Sequence, residues 1–246
     1  MSQLNLDNFP KKLNLTDNEV HIWIANLDQI ILRGDEERLP LSERIRADKY
    51  HYQIHKNRYI IQHTLLRLII GHYQGIGFFE GEFYLGEHRK PYLSGINGKD
   101  TICFNISNSD SMGIFAFSKN LEIGVDIELV RDIPEMDKIV EQFFSAKEKD
   151  FLRSLPENRK KKAFYSCWTR KEAFLKAIGD GLVQSLDKFD LDLIPGELTR
   201  ILRMGEDSKI ESRWFIQNLK PAPNYVGAFA VKSHMFETKR WRWEVM

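Results

Sequence analysis

The chain has 246 residues, of which 42% are apolar and 29% charged. These values match folded globular proteins and exclude a disordered chain, and the length suits one large domain or two modest ones. A formal net charge of +1 excludes a broad polycationic surface, and with it non-specific nucleic-acid binding as the main activity, while leaving room for a local basic pocket.

The opening segment MSQLNLDNFPKKLNL lacks the apolar run of a secretory leader, so none is expected. Apolar runs such as Leu68–Ile70 and Ala228–Val231 are too short to span a bilayer. Val20–Leu27 alternates as a strand does. Leu41–Tyr73 reads as mostly helical, with Tyr59, His63, Arg67 and Ile70 recurring at three- and four-residue spacing. Gly75, Gly77, Gly81, Gly86, Pro91, Gly95 and Gly98 then mark a turn-rich stretch, with short strands expected inside it near Glu82–Leu85. Three strands are expected at Thr101–Ile106, Met112–Phe117 and Glu122–Leu129, joined by turns over Asn105–Ser111 and Ser118–Asn120. Ile133–Leu155 predicts two helices, the second opened by Ser145 as N-cap with Glu148 completing a capping box. A long helix follows Pro156 and runs through Ile178, stopped by Gly179 and Gly181. The remainder is β-rich: Phe189–Leu193, Ile210–Asn218, Tyr225–Val231 and Trp241–Val245. Trp214, Trp241 and Trp243 are expected to pack this C-terminal sheet. Cys103 and Cys167 have no metal-like spacing and are expected as small core residues of a chain in a reducing cytoplasm.

Each half thus holds a long helix and several antiparallel strands. The expected fold class is α+β, two similar lobes with a seam near residues 118–124: an N-terminal lobe over 1–118 and a C-terminal lobe over 119–246.

Two segments carry chemistry. In Ile123-Gly124-Val125-Asp126-Ile127-Glu128, strand alternation puts Asp126 and Glu128 on one face and Val125 and Ile127 on the other. Gly124 shares the acidic face and is expected to leave open space beside the carboxylates. The two carboxylates are about 7 Å apart at the backbone, a repulsion that a bound cation would relieve. In Trp168-Thr169-Arg170-Lys171-Glu172-Ala173-Phe174-Leu175-Lys176, helical spacing aligns Trp168, Glu172 and Lys176 in one stripe. By itself each segment also reads blandly, as an acidic strand edge and as a solvated Glu–Lys pair. Together, Asp126, Glu128 and Glu172 form a hard oxygen set suited to Mg²⁺ rather than Zn²⁺, with Lys171 and Lys176 near enough in sequence to meet phosphate charge. His51 and His55 lack a third ligand nearby for zinc. No Gly-x-Ser-x-Gly elbow or phosphate-binding Walker loop occurs.

These two segments resemble the signature motifs of 4′-phosphopantetheinyl transferases, and Asp126 and Glu172 stand 46 residues apart, as such a pair should. The Trp…Lys-Glu-Ala form and the length resemble the larger, monomeric class typified by the surfactin-synthetase activator, whose fold is a pseudo-dimer of two α+β halves. Weaker matches fall in the same order: His63-Thr64-Leu65-Leu66-Arg67, Arg89-Lys90-Pro91-Tyr92, Phe104-Asn105-Ile106-Ser107-Asn108-Ser109, and Phe143-Phe144-Ser145 followed by Glu148. The resemblance implies Mg²⁺ held by Asp126, Glu128 and Glu172, bridging the diphosphate of coenzyme A. It implies Lys176 on phosphate oxygens, and Glu172 or Glu128 as the base that deprotonates a carrier-protein serine. It implies Lys90, Ser107, Asn108 and His63 around the nucleotide half of coenzyme A, and Trp168 bordering the site as a packing residue. The sequence departs from the pattern twice. Asn108 stands where the family has histidine, and His63 where it has arginine, so Arg58, Lys56 or Arg89 would supply missing positive charge. The implied partner is a carrier domain with an acidic recognition helix, and a groove between the halves, with an exposed apolar patch from Ile133 to Phe144, is expected to accept it. The competing expectations are a metal-dependent phosphohydrolase using the same acids, and a degenerate module that binds coenzyme A or carrier without catalysis.

Overall fold

Alternation in Glu19–Asn26 (β1) sends Val20, Ile22 and Ile24 to one side and His21, Trp23 and Ala25 to the other, yet all are buried. A strand buried on both faces must lie between two layers. The computed structural model describes residues 13–32, 34–86, 90–93, 101–179, 189–191, 198–204, 214–233 and 235–243. In it β1 joins Ile102–Ser109 (β4), Met112–Lys119 (β5) and Glu237–Trp243 (β11) in a four-stranded sheet of order β11-β1-β5-β4. A second sheet has the order β6-β10-β9-β8-β7, built from Ile123–Leu129 (β6), Phe189–Leu191 (β7), Leu198–Met204 (β8), Trp214–Leu219 (β9) and Tyr225–Lys232 (β10). A separate hairpin pairs Phe83–Leu85 (β2) with Pro91–Leu93 (β3).

The sheets face one another across Val20, Ile22, Ile24, Ile114 and Ala116 on one side and Val125, Ile127, Phe229 and Val231 on the other. Two 22-residue helices cover the outer faces. Gln53–Gln74 (α2) lays Leu65, Leu66 and Ile69 against Trp23, Phe104, Phe115 and Phe117. Glu157–Ile178 (α5) lays Ala173, Phe174 and Ala177 against Trp214, Ile216, Ala228 and Ala230. Each fully buried Ile or Phe in these layers contributes about 1.5–3 kcal/mol. Both helices end on a left-handed glycine, Gly75 (φ +71°) and Gly179 (φ +75°). Leu41–Ala47 (α1) precedes α2. Met136–Phe143 (α3) and Ala146–Ser154 (α4) precede α5, and Ser145 and Glu148 form the expected capping box. The result is a mixed α+β fold layered helix–sheet–sheet–helix.

Four expectations change. First, β4 runs through Ser109, where a turn from Asn105 onward was expected. The chain reverses only at Asp110, which takes φ +48°. Asn105, Ser107 and Ser109 have turn-like composition, but their side chains bond the neighbouring strand instead. Second, Trp241 and Trp243 lie in the first sheet. β11 pairs in parallel with β1, and Trp241 stacks on Trp23 at 4.8 Å between ring centroids. Third, β8 had no sequence counterpart. Fourth, Ile133, Met136, Ile139 and Phe143 are half-buried against Val140, Phe144, Leu152 and Phe164, so that stretch is largely core rather than an open patch.

Candidate active site

Gly124 faces α5, on the same side of β6 as Asp126 and Glu128, but the space beside it is filled. A Cβ there would sit 2.1 Å from the Ala173 carbonyl oxygen and 2.3 Å from the Ala177 nitrogen. The expected opening is therefore a contact: glycine lets the backbone of α5 touch the strand. Glu172 and Lys176 each precede one of those alanines, so the close crossing carries both over the acidic face of β6.

The edge of β4 completes the site. Asn105 Oδ1 accepts from the Val125 N–H at 2.9 Å. Ser107 Oγ donates to Asp126 Oδ1 at 3.0 Å. Ser109 Oγ donates to Glu128 Oε2 at 2.8 Å and accepts from the Leu129 N–H at 3.1 Å. Three alternate side chains thus join the sheet edges where backbone ladder bonds would otherwise run. Because Ser109 Oγ accepts from Leu129, its own proton is directed at Glu128. Asn105 and Ser109 were not assigned site roles from sequence, although their period-two spacing with Ser107 was the available signal.

Lys176 Nζ donates to Asp126 Oδ1 at 2.7 Å and to Ser107 Oγ at 3.0 Å. Asp126 and Glu172 are 4% and 7% exposed, and Asp126 Oδ2 and Glu172 Oε1 are buried without a donor. Unpaired buried carboxylate oxygens are costly, and a hard divalent cation is the ligand they suit. Among the described residues no three such side chains already converge as a metal-ligating group; the cation on Asp126 is the Lys176 ammonium. Burial, then the charge of Asp126, pushes the Glu172 carboxyl up to about 7, with Lys176 opposing. Burial also raises Glu128, against the hydrogen bond from Ser109.

The family model of the 4′-phosphopantetheinyl transferase superfamily matches residues 122–230, the span holding Asp126, Glu128, Glu172 and Lys176 but not the β4 edge. HetI of Nostoc sp., a 4′-phosphopantetheinyl transferase, is 31% identical over 95% of this chain and 96% of its own. The chain belongs to the 4′-phosphopantetheinyl transferase superfamily. A putative member from Synechocystis sp. is 29% identical over 78% of this chain and 76% of its own, and one from Bacillus subtilis 28% over 70% and 76%. A solved holo-[acyl-carrier-protein] synthase of Thermotoga maritima aligns over 46% of this chain and 62% of its own at 22% identity, with a TM-score of 0.36, too low to bear on the fold.

Of the residues singled out from the sequence, Asp126, Glu128, Glu172, Lys176 and Ser107 come together. Lys171 does not. It points away from Glu172 into the α4–α5 contact, where Nζ lies 2.8 Å from Glu148 Oε2 and both side chains are fully buried. Residues five apart on a helix project about 140° apart, so Lys171 and Lys176 cannot share the phosphate side. Lys90 Nζ donates to the carbonyls of Ala177 (2.6 Å) and Ile123 (3.0 Å), tying the β2–β3 hairpin to the end of α5, and burial pulls its ammonium down to about 8. Asn108 is exposed between Ser107 and Ser109, on the alternate side of β4. His63 stacks on Tyr59 at 4.1 Å, and its Nδ1 lies 3.0 Å from Glu43 Oε1, close enough for an ion pair but off line for a hydrogen bond. Arg58 is engaged by Asp28 at 2.6 Å and by Asp110 at 3.0 Å, which raises its pKa further and clamps the β4–β5 turn. Lys56 pairs with Asp48 at 2.6 Å, and Arg89 lies outside the described residues. Trp168 packs between Phe143 and Phe164.

Proposed function

We propose that this chain transfers the 4′-phosphopantetheine arm of coenzyme A to a serine of an apo acyl or peptidyl carrier protein, releasing 3′,5′-ADP. The observation that best supports this is the Gly124 crossing, which sets Glu172 and Lys176 over Asp126 and leaves two buried carboxylate oxygens without donors. Mg²⁺, held by Asp126, Glu128 and Glu172, would supply charge neutralisation at the diphosphate. Lys176 binds the phosphate oxygens and balances charge on the departing 3′,5′-ADP. The carrier serine oxygen bonds to the β-phosphorus as the bond to 3′,5′-ADP breaks. The serine proton passes to Glu172 or Glu128, directly or through water.

Residues 1–118 serve as the lobe for coenzyme A, with Lys90, Ser107, Asn108 and His63 around the nucleotide and Arg58 steadying the turn beside Asn108. Residues 119–246 serve as the lobe for the metal. The two halves run in similar order, from a strand through short helices to a capped 22-residue helix, and this supports a pseudo-dimer acting as a monomer. The partner is a carrier domain with an acidic helix, not a nucleic acid or a membrane. Among the described residues no helix is long and apolar enough to cross a membrane, which fits a cytoplasmic enzyme.

The test is intact-mass spectrometry of an apo carrier protein incubated with the chain, Mg²⁺ and coenzyme A. The expected result is a gain of one phosphopantetheine arm, lost with EDTA and with Glu172→Ala. No gain across several carriers by a folded chain that binds coenzyme A would overturn the proposal.

A further inference from the structure

Three acids and one lysine meet between β6 and α5, and the lysine is committed to a single carboxylate. Lys176 Nζ lies 2.7 Å from Asp126 Oδ1, an oxygen that also accepts from Ser107 Oγ at 3.0 Å. Asp126 Oδ2 and Glu172 Oε1, both buried, receive no donor. Lys176 follows Glu172 by one turn of α5, so its ammonium enters the same gap between helix and strand that Glu172 borders. A divalent cation touching both Asp126 and Glu172 has to use that gap. An ammonium and a divalent ion held on one buried carboxylate would repel each other strongly.

One of the two partners must yield, and their mobility decides which. Asp126 is fixed on a central stretch of β6, paired with Ala228 of β10, and its side chain is 6% exposed. The Lys176 side chain is 31% exposed and carries its charge on four flexible methylenes. It can swing outward; the aspartate cannot.

We propose that Lys176 is a displaceable counter-cation, so that a divalent ion binding the carboxylates expels its ammonium from Asp126 and makes it available to the diphosphate of coenzyme A. The idea rests on the metal site of the proposed function. Its consequence is linkage. A metal alone has to break the Lys176–Asp126 pair, whereas a metal arriving with the diphosphate gives the freed ammonium a new anion. Metal and coenzyme A therefore strengthen each other's binding through Lys176, and by reciprocity the factor is the same in both directions. The lysine also shields the acids from one another while no metal is bound.

Two measurements test this on the full chain. In the first, Mn²⁺ binding is titrated by electron paramagnetic resonance, with and without coenzyme A, in the native chain and in Lys176→Gln. The variant is expected to bind Mn²⁺ alone about tenfold more tightly, and the enhancement of Mn²⁺ affinity by coenzyme A to shrink by about tenfold, within the usual range of coupling between sites. In the second, acetylation of Lys176 in the native chain by an N-hydroxysuccinimide ester is followed by peptide mass. Mg²⁺ alone is expected to speed it several-fold, and Mg²⁺ with coenzyme A to slow it again. Lys176 labelling that Mg²⁺ leaves flat or suppresses, while Mn²⁺ binds and needs Asp126, would overturn the displacement and leave the metal site standing. Failure of the native chain and Asp126→Asn alike to bind Mn²⁺, with or without coenzyme A, would overturn both.

Discussion

Replacing Glu172 by glutamine should make the metal-free protein more stable while abolishing its activity. The substitution keeps the size of the side chain and removes a buried charge that faces Asp126 and Glu128. In the unfolded chain this carboxyl loses its proton near 4.5; in the fold it holds it up to about 7. The folded state therefore binds more protons across that window, and stability falls as pH rises from 4.5 toward 7 and above. The difference between those two values corresponds to about 3 kcal/mol once the group is fully ionised. Glutamine does not ionise, so Glu172→Gln should gain about that amount at pH 8.5 in EDTA and almost nothing at pH 4.5. For a chain of this size the gain is roughly 5–10 °C in melting temperature. The assay is urea unfolding at both pH values, with EDTA and with saturating Mg²⁺. Mg²⁺ should raise the stability of the native chain at pH 8.5 and close most of the gap to the variant. Transfer activity should fall at least a hundredfold. A variant that is neutral or destabilised at pH 8.5, with no dependence on pH, would refute the argument that Glu172 is a strained buried acid.

Three other substitutions probe the supports of the site. Gly124→Ala should destabilise by about 3 kcal/mol or more, because the new methyl meets backbone atoms of Ala173 and Ala177 that cannot move without shifting α5; thermal melting checks it, and transfer should fall with Glu172 and Lys176 displaced. Ser109→Ala should weaken Mn²⁺ binding by roughly 10–100-fold, as loss of a group that orients a ligand does. Ser109→Thr, which keeps the hydroxyl, should restore it. Lys171→Met should cost about 3–5 kcal/mol by removing the buried ammonium 2.8 Å from Glu148. Adding Glu148→Gln should recover part of that loss in urea unfolding. Coenzyme A affinity of the folded Lys171→Met protein should stay unchanged, since Lys171 is enclosed between α4 and α5.

Local patterns in the sequence determined much of this molecule. Alternation placed β1 and the faces of β6; turn residues bounded β5; the 3.6-residue period placed α2; Pro156 and Gly179 bounded α5, and the Ser145–Glu148 box opened α4. The acids Asp126, Glu128 and Glu172, with Lys176, were legible because strand and helix periods assign faces without knowledge of neighbours. Only the tertiary structure decided what those faces meet. It showed that Gly124 is a contact rather than a gap, because the second surface belongs to a helix some fifty residues later in the chain. It turned Asn105, Ser107 and Ser109 from expected turn residues into bridges between two sheet edges. It separated Lys171 from Lys176 according to what lies on each side of α5. It also carried Trp241 and Trp243 back to β1, a parallel pairing between opposite ends of the chain that leaves no local signal. The physical reason is common to all four. A residue's face follows from its own backbone, but its partner is fixed by contacts distant in sequence, which form only when the layers close.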